Sequence, residues 1–145
     1  MPKSEKVILL VEDNEAEVKL ALRAFQKQSF DKKILVARDG EEALQLLFEL
    51  ASSATTSVPN LPSLILLDLN LPKVDGLEVL QTIRSQSATR YIPVVIFTTS
   101  DETRDIQESY RLGANSYLRK PVDFDDFTEL VGNLESYWLN QNLTL

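Results

Sequence analysis

Leu64-Ile-Leu-Leu-Asp68-Leu-Asn-Leu-Pro-Lys-Val-Asp-Gly76 opens with four apolar residues and sets a carboxylate, Asp68, where that run ends. Four apolar residues in a row read as a strand buried on both faces, the kind found inside a parallel sheet. Leu71-Pro72 and Asp75-Gly76 are turn signals, so Asp68 stands where the strand leaves the core. An ionised group at a core boundary costs free energy unless something compensates it. The partners of Asp68 must come from elsewhere in the chain.

Working outward, short apolar strand candidates alternate with amphipathic helix candidates, the rhythm of a parallel α/β sheet. Strands are expected near Val7–Val11, Lys33–Ala37, Leu64–Leu67, Val94–Thr98 and Ser116–Leu118, each followed by a helix. Val18, Ala21, Leu22 and Phe25 keep the spacing of one buried helical face, as do Ala43, Leu46, Leu47 and Leu50. Gly76, Val79, Leu80 and Ile83 make a third such face, and Phe127, Leu130, Val131, Leu134 and Trp138 a fifth. Near Thr103–Leu112 the stripe is thin, with Ile106 and Tyr110 among charges. Residues 51–62 form a small-residue, Pro-containing stretch with no periodicity and read as a long surface loop, either a tolerated insertion or a partner contact.

At 145 residues, 43% apolar and 26% charged, the chain suits one domain with a real core. A net charge of −7 argues against nucleic acid, whose phosphates are met by clustered Lys and Arg. With no Cys and no His, thiolate and imidazole chemistry is excluded, leaving carboxylates, Lys, Ser/Thr and backbone. No apolar run approaches the ~18 residues of a membrane span, so a cytoplasmic protein without membrane contact is expected.

Ligands of an open parallel sheet bind beyond the carboxyl ends of its strands. The first expected strand ends in Glu12-Asp13, the third in Asp68 and the fourth in Thr98-Thr99, and the fifth leads to Lys120-Pro121. Three carboxylates and one ammonium would share a rim, each carboxylate raising the others' pKa unless a cation holds them. With oxygen donors alone, and too few for a calcium cage, Mg²⁺ keeping several waters fits best. Each feature alone is an ordinary boundary residue. Their joint placement at successive strand ends carries the inference.

Over nearly its whole length the sequence resembles the response-regulator receiver domain of two-component signalling. Val11-Glu12-Asp13-Asn14 resembles the family's acidic pair, and Asp68 in Asp-Leu-Asn-Leu-Pro-Lys-Val-Asp-Gly its phosphoryl-accepting aspartate. Pro93-Val-Val-Ile-Phe-Thr98 resembles the strand ending in the switch Thr, and Tyr117-Leu-Arg-Lys120-Pro121 the aromatic switch followed by a Lys and a cis-Pro. The Asp-Leu-Asn-Leu-Pro wording, Thr98-Thr99-Ser100, the middle insertion and the absence of an output domain look most like the small regulators paired with cyanobacterial phytochromes.

The resemblance implies a flavodoxin-like doubly wound (βα)5 fold with helices on both faces and strand order 2-1-3-4-5. It implies one receiver domain over residues 1–145, with an inserted loop at 51–62 and a short extension at 140–145. Asp68 would attack a phosphoryl donor. Asp13, Asp68 and the backbone carbonyl of Asn70 would bind Mg²⁺, with Glu12 acting through metal-bound water. Lys120 would pair with the new phosphate, Thr98 would hydrogen-bond it, and Tyr117 would turn inward behind Thr98. A sensor histidine kinase, expected to be a phytochrome, would supply the phosphoryl group, and a downstream protein would read the altered surface. Thr99 stands where the family usually has a small residue. Asn70 and Ser100 hold the positions that commonly tune slow self-hydrolysis.

Two other readings compete. A Mg²⁺-dependent aspartyl-phosphate phosphatase of haloacid-dehalogenase type needs a second acid two positions after its nucleophile, where this chain has Asn70. A receiver-like module that is never phosphorylated would not need all of these site residues. At the tail, Trp138 can finish the last helix's own core. That view leaves Leu139, Leu143 and Leu145 unexplained. A two-fold dimer through the fourth helix, fifth strand and fifth helix would cover them, with Arg104, Asp105, Glu108, Arg111 and Arg119 pairing across it.

Overall fold

The computed structural model describes residues 6–28, 33–52 and 61–143. Its elements in chain order are β1 (Val7–Val11), α1 (Glu15–Lys27), β2 (Lys33–Ala37), α2 (Gly40–Ser52), β3 (Leu64–Leu67), α3 (Gly76–Ser85), β4 (Val94–Thr98), α4 (Thr103–Arg111), β5 (Ser116–Arg119) and α5 (Phe124–Leu134), with a π-helical turn at Glu135–Gln141. The strands lie parallel in the order β2-β1-β3-β4-β5, the doubly wound arrangement expected, with β5 one residue longer. Most of the 51–62 loop, and Leu145 of the tail, lie outside the described residues.

The apolar runs are continuous because the sheet is covered on both faces, and successive strand residues serve opposite cores. Leu9, Val11, Ile65, Leu67, Val94 and Ile96 point to one side, where Ala43 and Leu47 of α2 and Val79, Leu80 and Ile83 of α3 close over them. Ile8, Leu10, Leu64, Leu66, Val95 and Phe97 point to the other, against Ala21, Ala24 and Phe25 of α1 and Phe127, Val131 and Leu134 of α5. Full burial of each such side chain is worth roughly 1.5–3 kcal/mol, so a one-residue slip of any strand would be costly.

The helices depart from the expected stripes in two places. On α1 the buried face is Val18, Ala21, Ala24 and Phe25, while Leu22 is 38% exposed. That face abuts α5, and Leu22 is turned off it by one residue's 100° step. At the C-terminus Leu139, which no α-helical stripe would bury, is fully buried, and Trp138 is only partly so. The π-helical turn accounts for this, since its wider i→i+5 closure shifts the buried face and puts Leu139 in the same core cluster as Leu134. Lys6 fastens the turn by donating its ammonium to the carbonyl of Leu139. Leu143 remains exposed.

On α4 only Ser109 is fully buried, consistent with its thin stripe. Of the charges expected to pair across a dimer, Asp105, Glu108, Arg111 and Arg119 have partners within the chain. Arg111 binds Glu108 at 2.7 Å, Arg119 binds Asp101 at 3.2 Å, and Asp105 accepts from Ser100 Oγ at 2.6 Å. The peptide before Pro121 is trans rather than the cis form expected, since no cis bond occurs among the described residues. Trans is the favoured form of an X–Pro bond by roughly 0.5–1 kcal/mol.

Candidate functional site

Beyond the carboxyl ends of the strands the backbone ladder continues for one more rung. Glu12 N–H donates to Ala37 O at 2.9 Å, Asp68 N–H to Val11 O at 3.1 Å, and Lys120 N–H to Thr98 O at 2.7 Å. Glu12, Asp68 and Lys120 are therefore set by the sheet itself rather than by free loops. Asp68 is followed by a turn that packs tightly under it. A Cβ on Gly76 would lie 2.3 Å from the Asp68 carbonyl oxygen, so the backbone approach there needs glycine.

The side chains converge on the Lys120 ammonium. It hydrogen-bonds Glu12 Oε1, and lies 3.0 Å from Glu17 Oε2 and 3.3 Å from Asp68 Oδ2. Glu12, Asp68 and Lys120 are all buried. Burial drives the Glu12 carboxyl up to about 7, against the Lys120 hydrogen bond and charge that pull it down. Burial also works against the Lys120 charge, but the Glu12 hydrogen bond and the surrounding carboxylates outweigh it and hold its pKa above the ordinary lysine value. One ammonium faces three carboxylates whose oxygens lie within 4.8 Å of one another.

Asp13 and Asn70 are exposed and line the same cleft, an open space of about 740 Å³ bordered also by Asn14, Glu15 and Thr99. They share the site with Asp68, but Asp13 stands outside the tight trio of Glu12, Glu17 and Asp68. Glu17 is the residue that sequence reasoning missed. A signal existed, because Asn14 directly after the acidic pair is a helix N-cap, its Oδ1 accepting from Glu17 N–H at 3.1 Å. That cap seats the first turn of α1 over the rim.

Thr98 is fully buried, and its Oγ1 has no hydrogen-bond partner among the described residues. A buried hydroxyl left unpaired is costly and marks a group waiting for a ligand or a movement. Tyr117 lies beside β4, half-buried, with its hydroxyl donating to the Ser100 carbonyl at 2.9 Å. Burial raises its phenol pKa. In this state the ring is tied to the loop after β4.

The donor set suits a small divalent cation. All side-chain donors are oxygens, three carboxyl groups meet one ammonium, and Glu12 is held high by burial that Lys120 only partly offsets. Asp68 lines that cleft with its carboxylate 3.3 Å from the buried Lys120 ammonium. Phosphoryl transfer asks for this combination of positioning and charge neutralisation.

Residues 8–132 match the family model described as the response regulator receiver domain. The chain is 45% identical to the probable methanogenesis regulatory protein FilR2 of Methanothrix harundinacea, over 94% of this chain and 85% of that one. It is 41% identical to the response regulator Rcp1 of Synechocystis sp., over 92% and 89%. Among solved structures it resembles the phosphorylated cyanobacterial phytochrome response regulator RcpA, with a TM-score of 0.85, 38% identity and coverage of 97% and 98%. It also resembles the Mn²⁺-bound form of Rcp1, with a TM-score of 0.82, 38% identity and coverage of 97% and 99%.

Proposed function

The chain belongs to the response regulator receiver domain family of two-component signalling, and we propose that it carries a phosphoryl group on Asp68 and reports it through Thr98 and Tyr117. The observation that carries this reading is the buried Asp68 carboxylate facing Lys120, one strand away from the unpartnered hydroxyl of Thr98. In the transfer, an Asp68 oxygen forms a bond to phosphorus as the donor's P–N bond breaks, and the leaving imidazole keeps the electron pair. The donor is the phosphohistidine of a sensor histidine kinase, since this chain has no His. Similarity to RcpA supports a kinase of the phytochrome class.

Asp13, Asp68 and the Asn70 carbonyl, with Glu12 acting through metal-bound water, would hold the divalent ion, and Mg²⁺ is the ion we assign. When bound it neutralises charge on the phosphoryl oxygens. Lys120 pairs with one of those oxygens and Thr98 Oγ1 donates to another, gaining the partner it lacks at rest. As Thr98 moves toward the site, Tyr117 leaves the Ser100 carbonyl and turns inward, repacking the surface of α4 and β5 for a downstream protein. Slow self-dephosphorylation would return the protein to rest.

Residues 1–145 act in this reading as one receiver domain, with the 51–62 loop and the 140–145 segment as its additions. It works in the cytoplasm, in keeping with the absence of any membrane-spanning helix among the described residues. Self-association would use α4, β5 and α5. The test is transfer of labelled phosphate from a purified histidine kinase to wild type and to Asp68→Asn. Label on wild type alone is expected. Label retained by Asp68→Asn would overturn the assignment, and turnover of a small phosphomonoester would return the phosphatase reading.

A further inference from the structure

Taking Asp68 as the phosphoryl acceptor, we propose that Glu17 is a positioning residue that shares Lys120 with Asp68 at rest and gives it up when the phosphoryl group arrives. A lysine ammonium has three N–H donors and no acceptor. In this structure all three are engaged, by Glu12, by Glu17 at 3.0 Å and by Asp68 at 3.3 Å. A phosphoryl group on Asp68 brings new oxygens that need one of those donors. The donor now on Asp68 passes to that group, and drawing a second one takes it from Glu12 or Glu17.

Burial decides which. The Glu12 side chain is 2% exposed and also accepts from Asn14 N–H at 3.1 Å, so it is held in place and cannot turn into water when Lys120 leaves it. Asp68 carries the phosphoryl group itself. The Glu17 side chain is 33% exposed and sits on the first turn of α1, where only its amide is held by Asn14. Its carboxylate can swing into water, because Glu17 is the one solvent-reachable member of the three carboxyl groups around the buried ammonium. Glu17 thus sets how hard the phosphoryl group must compete for Lys120, and keeps the ammonium on the α1 side of the cleft until then.

The probe is beryllium trifluoride with excess Mg²⁺, a phosphoryl mimic, titrated into the full chain and its Glu17→Gln variant while the Lys120 ζ-ammonium is followed by nitrogen-detected NMR. Glu17→Gln should bind the mimic about two- to fivefold more tightly than wild type. Its resting Lys120 ammonium protons should exchange faster with water, because one of three acceptors has lost its charge. Equal or weaker binding by the variant would overturn the proposal. Tighter binding with unchanged ammonium exchange would do so as well, since Glu17 would then repel the ligand directly instead of acting through Lys120. If wild type itself does not take the mimic, the assignment of Asp68 has failed first. A wild type that binds beside an indifferent Glu17→Gln sinks the role of Glu17 alone.

Discussion

The main-chain N–H of Lys120 donates to the Thr98 carbonyl at 2.7 Å, so the cation facing Asp68 and the residue with the unpaired hydroxyl hang from one rung of the sheet. The backbone fixes their spacing. What remains free to change is the Thr98 hydroxyl, which has no hydrogen-bond partner among the described residues, and the Tyr117 ring, whose hydroxyl is held by the Ser100 carbonyl. The resting state therefore carries a small destabilisation that a phosphoryl oxygen would relieve.

Thr98→Val tests that statement in both directions. Valine keeps the shape and removes the unpaired hydroxyl, so the unphosphorylated variant should be more stable by roughly 1 kcal/mol, read as a higher urea midpoint with unchanged slope. It should still accept label on Asp68. Its phosphorylated form should change surface and partner binding less than phosphorylated wild type. A lower urea midpoint would mean that the hydroxyl is satisfied at rest.

A second expectation concerns the metal. A divalent ion that binds the folded carboxylates and not the unfolded chain should add about 2.7 kcal/mol when free Mg²⁺ is a hundredfold above its dissociation constant. The melting temperature should rise accordingly. Asp13 is exposed, so Asp13→Ala should leave the metal-free stability within about 0.5 kcal/mol of wild type while removing most of the Mg²⁺ response. Lys120→Ala should retain the response and lose the stabilised phosphoprotein. A melting curve indifferent to millimolar Mg²⁺ would show that the rim does not take the ion.

Much of this architecture is legible from residue order. Strand runs flanked by helical stripes specify the doubly wound sheet, and acidic or hydroxyl residues at successive strand ends specify the rim, because period and position are local properties. Glu17 was hidden because its role depends on where a helix cap seats the first turn of α1. Leu139 was hidden because a π-helical turn changes the period within one element. Leu22 shows the limit of a stripe, which states that a face is apolar but not how wide the neighbouring helix is. The trans bond before Pro121 and the in-chain pairing of Arg111 and Arg119 are set by tertiary context.

Gly76→Ala should disturb the site from beneath. The added Cβ would meet the Asp68 carbonyl oxygen at 2.3 Å and Leu69 Cα at 2.6 Å, both backbone atoms that cannot swing aside. Displacing the start of α3 should cost roughly 1–3 kcal/mol. Because the clash bears on Asp68 itself, the rate of label transfer should fall together with the urea midpoint. A variant as stable as wild type would show that the turn has room to relax.

The last prediction lies at the opposite end of the sheet. Arg84, in the last turn of α3, donates Nε to Gly113 O at 2.9 Å, one terminal nitrogen to Arg90 O at 3.0 Å and Ile92 O at 2.8 Å, and the other to Asn115 Oδ1 at 2.8 Å. Asn115 Oδ1 also accepts from Val94 N–H at 2.8 Å, so this one guanidinium ties α3 to the entries of β4 and β5. The planar fork serves four acceptors at fixed angles, which an ammonium cannot reproduce. Arg84→Lys should therefore cost about 2 kcal/mol, nearly as much as Arg84→Ala, since either leaves carbonyls at the strand entries without their charged donor. Urea unfolding would read this loss. The acceptor cleft is at the far end of the strands, so transfer of label to Asp68, measured where both variants are fully folded, should stay within twofold of wild type. Arg84→Lys matching wild-type stability would show that charge alone, and not the fork, holds these loops.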